Sequence, residues 1–183
     1  MRLPISAVAA VAGCAAFAAP KHGDTVAELG AAAGIQDVTL ASSVSSAKGV
    51  VYVEGGGMFQ MGDGSFVASC SGGGSVAAAI YLSQSGAAAR LMGGRIERCV
   101  HSKGAVLGYV SGATIEVAGD VNVTGNRNGS GAVCNIKPKS ADDLTLAGSL
   151  TGKVGINFGN AAGAQFGVIE TGGDSADHFV CDA

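Results

Sequence analysis

The side chains able to do chemistry in this chain are spread along it. Asp63, Glu97, Glu116, Asp120, Asp142 and Asp143 supply carboxylates, and Arg90, Arg95, Arg98 and Lys103 supply positive charge. Converging carboxylates can coordinate calcium or act as general acid and base, with a basic group beside them to take a proton. Asp63 and Asp120 stand at similar glycine-flanked points, Gly62-Asp63-Gly64 and Gly119-Asp120. Two coils of a repeat apart, they would be separated by roughly 10 Å. Aspartate also favours glycine-rich corners for its own turn chemistry, and a structural turn role is the favoured reading of both. Arg95, Glu97 and Arg98 share one strand and read as a solvated ion-pair face. Asp142-Asp143 precedes a strand and offers calcium ligands, although adjacent loop carboxylates are commonly solvated. No catalytic residue is assigned.

Cysteines at 14, 70, 99, 134 and 181 and histidines at 22, 101 and 178 show none of the close ligand pairs that a tetrahedral zinc site needs. No metal or cofactor is expected. Gly72-Gly73-Gly74-Ser75 lacks the Lys-Ser/Thr ending of a phosphate-binding loop and reads as a corner insertion. Asn122-Val123-Thr124 and Asn128-Gly129-Ser130 fit the glycosylation acceptor pattern, which has meaning only in a eukaryotic secretory pathway.

Composition narrows the fold that must position these groups. Glycine occurs 31 times in 183 residues, more than twice the usual share of roughly 7%. The glycines have no three-residue period, which excludes collagen, and 48% hydrophobic content excludes a disordered linker. What remains is a fold with many tight turns and a narrow core of small side chains. A net charge of −3 with only 14% charged residues leaves no basic patch for nucleic acid.

The stretch Tyr109–Asn128 alternates apolar Val117, Val121 and Val123 with polar Glu116, Asp120, Asn122 and Thr124, the pattern of short strands. Like phrases occur upstream. Val50-Val51-Tyr52-Val53 aligns with Ala79-Ile80-Tyr81-Leu82, then with Leu107-Gly108-Tyr109-Val110, and a fourth copy begins at Ala132 with Asn135 in the tyrosine position. A second strand follows in each copy, at Met58, Ala89, Thr114 and Asp143, then a glycine-marked corner, then a third strand ending at Cys70, Cys99 and Asn126 in the first three copies. Units of this size with short strands make a solenoid, in which stacked coils share one core. An antiparallel sandwich fits the strand spacing alone, but the positional equivalence of like residues favours the solenoid.

Ser69-Cys70, Arg98-Cys99 and Gly125-Asn126 therefore occupy one corner, and Cys70, Cys99 and Asn126 are expected to form a ladder there. Two readings of the cysteines are open: a disulfide between adjacent coils, or buried thiols acting as small hydrophobes.

Met1-Arg2 followed by the apolar run Leu3–Gly13 reads as a signal peptide too short to span a bilayer. Ala16-Phe17-Ala18 offers a cleavage site after Ala18; Val11-Ala12-Gly13-Cys14 offers a lipidation site at Cys14. Residues 1–19 are read as this signal-like segment and 20–47 as a lead-in or cap. The β-helix is placed at 48–170 and a polar C-terminal tail at 171–183. Thr25 to Glu28 fits a helix capping box, so a short N-terminal helix is expected to cover the open end of the stack. A disordered lead-in is the alternative.

Ser111–Asn128, continued by Gly129–Ile136 and Leu144–Gly155, resembles the right-handed parallel β-helix repeats of bacterial adhesin-like surface proteins and the related polymorphic outer-membrane protein repeats. The resemblance covers about residues 48 to 157 and implies a secreted or surface-displayed, all-β, right-handed parallel β-helix of about four coils. The expected function is a non-enzymatic scaffold or adhesin whose partner is a carbohydrate or another cell-surface protein. It has no transmembrane segment and is extracellular or lipid-anchored. The alternative is a polysaccharide lyase or hydrolase of pectate-lyase-like architecture.

Overall fold

The computed structural model describes residues 26–29, 34–37, 39–40, 49–74, 78–108, 111–140, 143–157 and 176–182. Ala18, Cys14, Tyr109 and Asp142 lie outside these.

The first turn of the chain runs through β1 (Val26–Leu29), β2 (Gly34–Gln36), β3 (Thr39–Leu40) and β4 (Gly49–Val53). The second repeats the order with β5 (Met58–Met61), β6 (Phe66–Ala68), β7 (Ser71–Gly72) and β8 (Ala78–Leu82). The third has β9 (Ala88–Leu91), β10 (Gly94–Glu97), β11 (Val100–His101) and β12 (Val106–Gly108). The fourth has β13 (Thr114–Gly119), β14 (Val121–Thr124) and β15 (Ile136–Lys137), and between β14 and β15 Arg127 bridges to Val100 of β11. Strands β16 (Leu144–Leu150), β17 (Val154–Ile156) and β18 (Phe179–Cys181) finish the stack.

Every pairing between these strands is parallel. One sheet runs β1-β5-β9-β13-β16, and a short one β11-β7-β3. Two further faces, β2-β6-β10-β14 and β4-β8-β12-β15, meet at β17, which pairs with both β14 and β15 and carries β18 on its side. The chain is a parallel β-solenoid of about four turns.

The sequence explains why the turns stack. In β5, β9, β13 and β16 the inward residues fall in register, Phe59 on Ala89, Ala89 on Ile115 and Ile115 on Leu144, then Met61, Leu91, Val117 and Leu146. All eight are buried. The second face lines up Val67, Ile96, Val123 and Val154 in the same way. β-Branched and small side chains fill this core because four walls leave little width between them, and no coil buries its apolar face without the next.

Three features differ from the sequence expectation. Residues 26–29 form a strand paired in register with Met58–Met61, so the helix expected at Thr25 to Glu28 is absent. A partner strand in β5 outweighs a local capping signal. Leu107, not Tyr109, pairs with Tyr81, and Ile136 pairs with Val106, so the tyrosine alignment slips by two residues in the later turns. A slip of two keeps each side chain on its face, so the periodicity does not reveal it. Each of the first three turns also holds a two-residue strand, β3, β7 or β11, too short to leave a pattern.

The turn from the second to the third face uses positive φ. Asp37, Ser69 and Arg98 adopt φ of 55°, 54° and 55°, and Gly125 holds the same position in the fourth turn at 67°. A non-glycine residue there costs roughly 1–2 kcal/mol, while glycine gives back roughly 0.5–1 kcal/mol through its freer unfolded chain. Ser69→Gly is therefore expected to stabilise the protein by about 0.5 kcal/mol and Ser69→Val to destabilise it. Urea unfolding midpoints of the two variants decide this, and a less stable glycine variant would refute the corner assignment.

Candidate functional site

The residue after Ser69, Arg98 and Gly125 points into the core. Cys70, Cys99 and Asn126 are fully buried, one above another. Their side chains do one job with different atoms. Cys70 Sγ reaches Ala68 O at 3.3 Å and Ile35 O, one turn back, at 4.0 Å. Cys99 Sγ reaches Glu97 O at 3.5 Å and Val67 O at 3.8 Å. Asn126 Nδ2 donates to Thr124 O at 3.1 Å and Ile96 O at 2.8 Å. Each thus reaches the carbonyl two residues back and an interior carbonyl of the preceding turn, and Asn126 Nδ2 also donates to Asn135 Oδ1 at 2.9 Å.

Asparagine adds an acceptor. Its Oδ1 takes the Cys99 N–H at 3.0 Å, and the Asn126 N–H in turn donates to Asn135 Oδ1 at 3.1 Å. Asn135 donates from N and from Nδ2 to the two carboxylate oxygens of Asp182, each at 2.6 Å. The polar column therefore ends on a carboxylate from the C-terminal strand. Gly155 leaves the room: a Cβ there would run into Asn135 Nδ2 and Asp182 Oδ1. Sequence reading put Asn135 in a tyrosine position and gave no role to Asp182, because nothing local links residues 135 and 182.

Cys70, Cys99, Cys134 and Cys181 form no disulfide with one another. The neighbouring Cys70 thiol, followed by burial, pushes Cys99 far above the usual thiol range. Burial also raises Cys134, whose Sγ donates to Lys103 O at 3.2 Å. Thiols kept protonated suit donor roles and not nucleophilic ones.

The candidate acids and bases separate into distinct places. Arg90 and Glu116 pair across adjacent turns at 2.6 Å on the outer face of the first sheet. Glu97 bridges Arg95 at 3.2 Å and Arg98 at 3.1 Å. Asp143 is buried and accepts the N–H of Ser140 at 2.7 Å and of Gly112 at 3.3 Å, which makes it a fastener between turns.

Asp63 and Asp120 share one open groove of about 450 Å³, lined also by Ser65, Met92, Arg95 and Asn122. It crosses three turns at the corner between the first two faces. Asp63 Oδ1 lies over Gly93, where a Cβ would collide with it. Asn122 Nδ2 orients the Asp120 carboxylate at 3.1 Å. Arg95 stands between them, stacked on the Phe66 ring at 5.3 Å and tied to Glu97. Among the described residues neither aspartate pairs with a cation, and no three His, Cys, Asp or Glu side chains converge as metal ligands.

His101 is completely buried in β11, and among the described residues neither ring nitrogen has a hydrogen-bond partner. Burial lowers its pKa from 6.5 to about 4.

No protein-family model, curated protein or solved structure matches this chain. The fold defines it as a parallel β-solenoid.

Because His101 is held neutral, its contribution to stability is complete above pH 6.5 and is lost as pH falls through 6.5 toward 4. The loss is about 3 kcal/mol. Chemical unfolding at pH 7 and pH 4 is expected to show it, and His101→Leu is expected to remove most of that difference. An unchanged pH difference in His101→Leu would show that other groups titrate.

Proposed function

We propose that this protein is a non-enzymatic, surface-associated β-solenoid that binds glycan along the groove of Asp63, Arg95, Asp120 and Asn122. The observation that carries the reading is the groove itself. It sets the Asp63 carboxylate, the Arg95 guanidinium and the Asp120 carboxylate on three successive turns of an open lateral surface, with the Asn122 amide holding Asp120. Successive turns repeat about every 4.8 Å. A regular row of mixed donors and acceptors suits a ligand that is itself a repeating polyhydroxylated chain. Charge alone would not select it, since the two aspartates are offset by Arg95. Surface display rests on the signal-like sequence of residues 1–19 and on the resemblance to adhesin-like repeats.

Arg95 bears on the competing lyase reading. A lyase needs a base free to take a proton, and this guanidinium is engaged by Glu97 and Phe66.

The test is retention on a panel of immobilised acidic and neutral polysaccharides, with soluble chain ends measured alongside. Binding without chain-end release is expected, weakened about tenfold in Asp120→Ala through loss of a charged hydrogen-bond acceptor. Chain-end release that disappears with a calcium chelator and in Asp120→Ala would make the protein a lyase or hydrolase. No retention on any member of the panel would also overturn the glycan reading.

A further inference from the structure

The fourth turn leaves the solenoid between Arg127 and Val133 in a loop ordered by one side chain. Asn128 Oδ1 accepts three donors: Ser130 N at 3.0 Å, Ser130 Oγ at 2.6 Å and Ala132 N at 3.1 Å. Backbone bonds close the loop, from Asn128 N to Ala132 O at 2.8 Å and from Gly131 N to Asn128 O at 2.9 Å. Arg127 Nη1 holds Gly131 O at 2.6 Å. The Gly129 N–H differs from its neighbours, because among the described residues it has no acceptor.

We propose that Asn128 is a site of spontaneous deamidation in the folded protein. The Gly129 backbone nitrogen gives up its proton to solvent base and attacks Asn128 Cγ. The tetrahedral carbon then expels Nδ2, which takes a proton and leaves as ammonia, and a cyclic imide remains between residues 128 and 129. Water opens either imide carbonyl to give aspartate or isoaspartate. One water enters and one ammonia leaves, with no oxidant or cofactor.

Three features of the site favour this chemistry. The donors on Oδ1 polarise the amide carbonyl and stabilise the oxyanion that forms on attack, the arrangement that oxyanion-hole donors use. The nucleophilic nitrogen is free of competing hydrogen bonds. Gly129 puts no side chain in the path of ring closure and is exposed.

The other asparagines of the stack are placed differently. Asn122 precedes Val123 and is bound through both side-chain atoms, to Asp120 and to the Lys153 N–H. Asn126 is buried in the polar column. Asn135 precedes Ile136 and is clamped by Asp182. Aspartate at 128 keeps the acceptor and strengthens it with charge, whereas isoaspartate lengthens the backbone and breaks the pairing with Ala132.

The test incubates the purified full chain at mildly alkaline pH and follows two tryptic peptides by fragmentation mass spectrometry, the one that ends at Arg127, with Asn122 and Asn126, and the one that begins at Asn128. That peptide also contains Asn135 as an internal control. Native protein is expected to convert at Asn128 while Asn122, Asn126 and Asn135 keep their amides. Ser130→Ala is expected to slow conversion roughly tenfold, below the hundredfold that a buried oxyanion donor is worth. Gly129→Ala is expected to slow it as well, and the fold accepts that variant because its Cβ would meet Ser102 Cα at an ordinary 3.5 Å. The proposal is overturned if native protein keeps the Asn128 amide over a period in which the same chain in denaturant loses it. It is equally overturned if folded Ser130→Ala converts at the wild-type rate.

Discussion

A parallel solenoid survives only if every turn bends at the same place, and here that place is the positive-φ corner before Cys70, Cys99 and Asn126. The bend aims the next side chain into the core, beside carbonyls that have a lone pair to spare. A side chain placed there must donate, and must be small enough to stack on its counterparts one turn away. Cysteine and asparagine meet both conditions. Leaving such polar groups unmade inside the core costs more than a made hydrogen bond contributes, so the corner constrains every turn. The strand registers on both sides of the corner follow from it.

The column is graded. Thiols are weak donors, and the sulfur contacts are long, from 3.3 to 4.0 Å. The amide of Asn126 makes shorter bonds and accepts as well as donates. Asp182 then supplies a charged acceptor at the end of the stack, which ties the C-terminal strand to the same column. Above and below, apolar registers such as Val67, Ile96 and Val123 hold the width of the core constant.

The fold class was legible because the constraint repeats in sequence. A small inward polar or thiol residue recurs at the same corner, at Cys70, Cys99 and Asn126. Positions away from the corner were less legible. The tyrosine-bearing strand is set by pairing and not by residue type, so Tyr109 was aligned where Leu107 stands. Two-residue strands carry no periodicity, and the first turn hid behind a helix-capping pattern. Of the groove, the shared glycine corner of Asp63 and Asp120 could be read, because glycine-flanked aspartates recur. Ser65 and Met92 could not, since they line it only through the geometry of neighbouring turns. His101 and Asp182 act over distances that leave no local trace.

The most direct test of this account is the equilibrium unfolding of Asn126→Ala in urea. The substitution strips donors from Ile96 O and Thr124 O, orphans the Cys99 N–H, and leaves Asn135 Oδ1 with one donor fewer. A loss of about 3 kcal/mol or more, with an unchanged denaturant slope, is what a corner that governs the stack requires. A loss below about 1 kcal/mol, the net worth of a single ordinary hydrogen bond, would contradict it and leave the apolar registers as the interaction that holds the solenoid together.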